Sequence, residues 1–204
     1  MDIFLTDRSQ WTEGFVPAGF RGKGWDDFEE RTPALGQVKA RVNAYAGSVL
    51  GGSRQPLVLY GPPGLGKTML AALAWQEIAP HVQDRLELRD AKEAGTADNI
   101  GWANGADVPK IIRARPDDDG NGLPSYQHLI SAYLAVLDDV DKCPPGGWQE
   151  GLYKVFDYRL CQVGLPTIIT MNATPAEFVK RYQDVGPMIW SRLKRTNALV
   201  IRVA

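Results

Sequence analysis

Gly61-Pro62-Pro63-Gly64-Leu65-Gly66-Lys67-Thr68 fits the pattern G-x-x-x-x-G-K-[ST], the signature of a loop that wraps a polyphosphate. Its flanks agree. Leu57-Val58-Leu59-Tyr60 is a short apolar run that reads as a buried strand, and the Ala- and Leu-rich segment from Thr68 to Ala79 reads as a helix stopped by Pro80. A polyphosphate is held by backbone N–H groups at close range, and glycine lets the chain approach and turn without a Cβ clash. Gly61, Gly64 and Gly66 supply that freedom, Lys67 would reach the β- and γ-phosphates, and Thr68 would place its hydroxyl on Mg2+. The start of the following helix aims the positive end of its dipole at the same charge. The candidate nucleotide-binding residues are therefore Gly61, Pro62, Pro63, Gly64, Leu65, Gly66, Lys67, Thr68 and Met69.

A second apolar run, Tyr133-Leu134-Ala135-Val136-Leu137, ends in Asp138-Asp139, the pattern of a buried parallel strand that delivers carboxylates at its C-terminal edge. Ligands of open α/β sheets bind at that edge, so Asp138 is expected beside the phosphate loop, holding Mg2+ with Thr68. Asp139 would face the γ-phosphate and polarise the attacking water. Pro166 to Met171 reads as another buried strand stopping at Asn172, a neutral amide at the same edge, and Thr174-Pro175-Ala176-Glu177 has the form of a capping box opening a helix to about Tyr182.

Outward from these landmarks, residues 1–31 are Gly-rich and aromatic (Trp11, Phe15, Phe20, Trp25, Phe28) with little periodicity, and read as an arm that docks its rings, either as a strap packed on the body formed by residues 32–204 or on a partner. Thr32-Pro33 looks like a helix start, with Leu35, Val38, Val42, Tyr45 and Val49 at helical spacing up to Gly51-Gly52. Residues 81–99 are polar and give no clear strand, while residues 100–103 are a candidate. A short helix is expected at Val108 to Ala114, and residues 115–122 form a loop by composition. Further helices are expected from Trp148 to about Cys161 and from Met188 to Lys194, with a last strand at Ala198 to Val203.

The 204 residues suffice for one α/β domain with a real core. With 23 basic and 24 acidic residues and a net charge of −1, the overall balance does not mark a nucleic-acid or membrane protein. Any DNA contact would come from local groups; Lys110, Arg113 and Arg115, with Trp102 or Tyr126 as a stacking face, read either as such a patch or as a surface loop with ordinary charges. Cys143 and Cys161 lack metal-ligand spacing and are expected to be packing residues in a reducing compartment. No segment reaches the ~20 apolar residues of a membrane span and the N-terminus has no leader pattern, so a cytoplasmic, unprocessed protein is expected.

The phosphate loop, Leu137-Asp138-Asp139, the strand-end Asn172 and Trp190-Ser191-Arg192-Leu193 occur in an order that resembles AAA+ ATPases of the DnaC/IstB type, over most of residues 14–204. The resemblance implies an α/β P-loop NTPase fold, a three-layer α/β/α sandwich on a mostly parallel central sheet, here expected without a C-terminal helical lid. It implies ATP and Mg2+ as cofactors and places Phe20 to Phe28 near the adenine. Asp139, Asn172 and Arg192 then become the catalytic candidates: Asn172 like a sensor amide, Arg192 like an arginine finger inserted into a neighbouring copy's site. Asp139 is a shorter acid than the Glu often found there. The function implied is a self-assembling ATPase that loads or remodels a replicative helicase on single-stranded DNA. An IstB-like transposition regulator, or a nucleotide-gated binding module with little hydrolysis, are the alternatives.

Overall fold

The computed structural model describes residues 16–86, 100–113, 126–146 and 148–204. Its centre is a parallel sheet built from the apolar runs: β1 (Leu57–Tyr60), β2 (Ile100–Asn104), β3 (Leu134–Asp138), β4 (Thr167–Met171) and β5 (Leu199–Arg202), in the order β2-β3-β4-β1-β5. Leu57 aligns with Ile168 on one side and Leu199 on the other, and Val136 aligns with both Trp102 and Ile168.

Alternation along the strands creates two cores. Leu57, Leu59, Leu134, Val136, Ile168 and Ile201 face one layer, made by α1 (Pro33–Leu50) and α2 (Lys67–Leu86). Val58, Ala135, Leu137, Ile169 and Met171 face the other. That second layer comprises α3 (Val108–Arg113), α4 (Tyr126–Ser131), α5 (Gln149–Phe156), α6 (Pro175–Arg181) and α7 (Gly186–Arg195). The result is the expected three-layer α/β/α sandwich. Each fully buried Leu, Ile or Val contributes roughly 1.5–3 kcal/mol by leaving water, so β3 and β4, buried at every position, anchor the sheet.

Helix starts follow their sequence signals. Thr32 Oγ1 accepts from Leu35 N at 3.2 Å, with Pro33 opening α1. Thr174 and Glu177 complete both halves of the capping box at the start of α6. Several expectations need correction. Pro80 does not stop α2, which continues to Leu86. Pro80 is exposed while Ile78, Ala79 and Val82 are buried, so packing on the inner face outweighs the backbone hydrogen bond that proline removes.

The helix expected from Trp148 to Cys161 is divided: α5 gives way to a π-helical stretch, Asp157–Val163, closed by Gly164 at φ 69°. The wider turn accompanies the inward rotation of Arg159, which is fully buried. Arg159 Nη1 donates to the carbonyls of Leu129 (2.9 Å) and Ala132 (2.7 Å), Nη2 to Pro166 O (2.9 Å) and Nε to Thr167 Oγ1 (3.1 Å). Burial pulls its guanidinium down to about 9, so the group stays charged at neutral pH and ties the end of α4 to the starts of β3 and β4.

Cys143 is buried, its thiol pushed up to about 11 by desolvation, but Cys161 is exposed and is not a packing residue. Trp102 offers no outward stacking face: it is 7% exposed and meets Trp75 edge-on at 6.3 Å. Arg113 lies over the Trp148 ring at 4.0 Å and Lys110 pairs with Asp107, while Ala114, Arg115, Trp11, Phe15 and residues 115–122 lie outside the described residues. Among the described residues, no helix is long and apolar enough to cross a membrane.

Candidate functional site

β1 ends at Tyr60 and the chain swings into the loop at Gly61, whose φ is 144°. A Cβ at Gly61 would collide with the carbonyl oxygen of Val203, just past β5, so only glycine lets the loop leave the sheet there. Gly66, at φ 82°, is constrained differently: a Cβ would come within 2.6 Å of the Phe28 ring. Lys67 follows as the first residue of α2, with its amine held by the carbonyls of Gly61 (2.8 Å) and Pro62 (2.7 Å). It is 5% exposed, and burial lowers its pKa against the opposing pull of Asp139, Asp141 and Asp138.

The topology brings β3 and β4 alongside the loop, and their ends carry the polar groups. Thr68 Oγ1 donates to Asp138 Oδ1 at 3.0 Å, across seventy positions of sequence. Thr170 Oγ1 donates to the same oxygen at 2.6 Å and accepts from Asp139 N at 2.8 Å. Asp138 is 4% exposed; desolvation raises its pKa, while the hydrogen bond from Thr170 works against that rise.

Asp139 stands at φ 50°, in the left-handed region, where the chain breaks from β3 into the 3-10 turn Val140–Lys142. Its Oδ2 pairs with Lys142 Nζ at 2.6 Å and its Oδ1 accepts from Asn172 Nδ2 at 3.1 Å. The hydrogen bond to Asp139 raises the Lys142 pKa. Asp141, in the same turn, accepts from the backbone amides of Asn172 and Ala173.

Asp139, Lys142 and Asn172 border a cleft of 530 Å³ that also takes in Gly64 to Met69 and, in a further stretch of its wall, Phe20, Lys23, Asp27 and Phe28. The wall is fixed to α2. Gln76 accepts from Gly22 N at 3.1 Å and donates to Phe20 O at 3.2 Å, and Trp25 Nε1 donates to Glu77 at 2.7 Å. A volume of this size, with apolar rings at one end and a lysine, a hydroxyl and carboxylates at the other, matches an amphipathic ligand such as a nucleotide.

The structure thus gathers Gly61 to Met69, Asp138, Asp139 and Asn172 at one end of the sheet, and leaves Arg192 apart. Arg192 Nε pairs with Asp157 at 2.9 Å and its Nη2 reaches Tyr153 OH at 2.6 Å, on the face formed by α7, α5 and the π-helical stretch. The sequence reading missed Thr170, Asp141 and Lys142. The run Asp138-Asp139-Val140-Asp141-Lys142 was the available signal for the last two; nothing local singles out Thr170, whose role depends on β4 lying beside β3.

Five parallel strands in this order, with the glycine-rich loop between the interior strand β1 and α2, define a P-loop NTPase fold of the α/β/α class. No protein-family model matches the sequence, and no curated protein matches it significantly. Solved structures do resemble it. A candidate primosome component from Streptococcus pyogenes serotype M3 superposes with a TM-score of 0.68 at 16% identity, covering 97% of each chain. The DnaC helicase loader gives 0.66 at 15% identity, covering 92% of this chain and 100% of that one. AMPPCP-bound DnaA from Aquifex aeolicus gives 0.62 at 16% identity over 93% of this chain, which spans 51% of that protein. The chain has the fold of the DnaC-type AAA+ ATPases.

Proposed function

We propose that this protein binds and hydrolyses ATP and, in an assembly of its own copies, loads or remodels a replicative helicase on single-stranded DNA. The observation that carries the nucleotide reading is the pairing of Thr68, which lines the cleft beside Lys67, with the buried Asp138 at 3.0 Å. A hydroxyl and a buried carboxylate side by side are hard oxygen donors, the set that suits Mg2+ held together with substrate phosphates. Mg2+, when bound there, would neutralise charge on the phosphate oxygens. The loop from Gly61 to Met69 then cradles the phosphates, with the backbone N–H groups of Gly64 to Met69 as its donors, and Lys67 exchanges its carbonyl partners for phosphate oxygens. The rings of Phe20 and Phe28 cover the base.

In this reading Asn172 orients the attacking water or a γ-phosphate oxygen, and Asp139 takes the proton. Arg192 acts in the site of a neighbouring copy, which requires it to leave Asp157. The helicase is proposed from the likeness to the DnaC helicase loader, and single-stranded DNA from the likeness to the replication initiator DnaA bound to AMPPCP and single-stranded DNA. The test is nucleotide binding and phosphate release with and without single-stranded DNA. Lys67→Ala is expected to weaken ATP binding by at least ~100-fold, and DNA to stimulate release by the unaltered protein. Equal ATP affinity in both proteins would overturn the nucleotide assignment.

One observation favours a second reading, a nucleotide-gated binding module with little turnover. Both oxygens of Asp139 are engaged, one by a lysine at 2.6 Å. Tight ATP binding without phosphate release, even with DNA and a helicase present, would select it.

A further inference from the structure

We infer that Asp141 is a positioning residue that holds Asn172 in register with the hydrolytic end of the cleft. The inference rests on the reading of Asn172 as the orienting amide. Asp141 is not part of the cleft wall, whereas its neighbours Asp139 and Lys142 and its partner Asn172 are. Its carboxylate faces the chain just beyond β4. Oδ1 and Oδ2 each lie 3.1 Å from Asn172 N, and Oδ2 accepts from Ala173 N at 3.0 Å.

These are the first two amides past the strand, where sheet pairing is running out: the carbonyl of Met171, the last residue of β4, is taken by Gly61 N at 3.3 Å. A carboxylate is a strong acceptor for such amides, because hydrogen bonds to an ionised group are roughly twice as strong as neutral ones. The Asn172 side chain, one rotor further out, then reaches Asp139 Oδ1 at 3.1 Å. Backbone and side chain of Asn172 are thus held by two carboxylates of one turn. That turn is itself fixed to β4 by Asp139 N on Thr170 Oγ1.

An amide that orients a water works only within a narrow range of positions, and an error of about 1 Å can cost ~100-fold in rate. Asp141 therefore governs turnover through Asn172, while its effect on the phosphate-gripping Lys67 is one of charge alone, shared with Asp138 and Asp139.

The experiment compares Asp141→Ala, Asn172→Ala, the double variant and Asp141→Asn. Three measurements are made: phosphate release at saturating ATP, affinity for AMPPCP, and amide hydrogen exchange. Asp141→Ala is expected to lower the maximal rate by about tenfold or more with AMPPCP affinity changed less than about twofold. The double variant is expected to be no slower than the slower single, since both changes disable one unit. Asp141→Asn keeps a carbonyl acceptor and should retain most of the rate. If the alanine variant does not fold, the asparagine variant carries the comparison, with a partial rate loss and intact AMPPCP binding. The amides of Asn172 and Ala173 should exchange faster in Asp141→Ala, those within β4 unchanged.

A full rate in Asp141→Ala beside an impaired Asn172→Ala overturns the inference, as do losses that multiply in the double variant or unchanged exchange at residues 172 and 173. If Asn172→Ala turns over normally, or the unaltered protein does not hydrolyse ATP, the reading of Asn172 falls first and takes the inference with it.

Discussion

Asp157 shows how one carboxylate can tie a stability signal to a functional candidate. The Gln162 amide, and after it the Arg192 guanidinium, hold its carboxyl below the usual carboxylate range. A depressed pKa means that the folded protein binds fewer protons than the unfolded chain through that window, so the contribution is present at neutral pH and lost as the pH falls into the acid range. Asp157→Asn should therefore flatten the dependence of Tm on pH between about pH 5 and pH 3, by ~1–2 °C for a partly exposed pair. Parallel melting curves across that range check it; equal slopes in both proteins would refute the tether. At this scale legibility was mixed. Lys67, Thr68 and Asp138 could be read because their chemistry is written in a local motif. Asp141 and Thr170 could not, because their partners are set by the neighbouring strand. Arg159 was invisible for a related reason: only the assembled fold supplies the carbonyls that let a cation be buried.

At the scale of elements, apolar runs were the reliable signal and helix punctuation the unreliable one. β1, β3 and β4 are buried at nearly every position, so their sequences are uninterrupted hydrophobic stretches. α2 continues beyond Pro80 because its inner face is committed to the core on both sides of the proline. The local rule then measures a cost, not a boundary. Pro80→Ala restores an N–H that can bond within the helix and removes the ring from an exposed position. It should raise stability by about 1 kcal/mol or more, read as a higher urea midpoint with unchanged slope. A lower midpoint would mean that the proline suits a bend that the packing requires. The π-helical stretch Asp157–Val163 was likewise illegible, since an apolar face at 3.6 spacing does not reveal where a turn widens to admit Arg159.

At the scale of the molecule, the candidate groups fall on two faces: the cleft beside the phosphate loop, and the face where Arg192 is paired with Asp157. An arginine that acts in a neighbouring copy predicts complementation. Arg192→Ala keeps an intact cleft and Lys67→Ala an intact arginine, so each should be inactive alone, while their mixture should recover a measurable fraction of the hydrolysis rate. An inactive mixture, or a normal rate in Arg192→Ala alone, would remove the arginine from the mechanism. Sequence order made the fold legible at this scale but said little about which faces meet.

The position of β1 also bears on how the protein comes into being. Both strands that flank it, β4 and β5, are encoded far downstream, and the carbonyl that abuts Gly61 belongs to Val203. A chain emerging from the ribosome at about 5–20 residues per second exposes Leu57 to Thr68 many seconds before either flank exists. The phosphate loop is therefore made well before the strands that scaffold it. Nascent chains halted before β5 should carry the complete loop motif yet lack the strand that flanks β1 and the Val203 carbonyl that abuts Gly61.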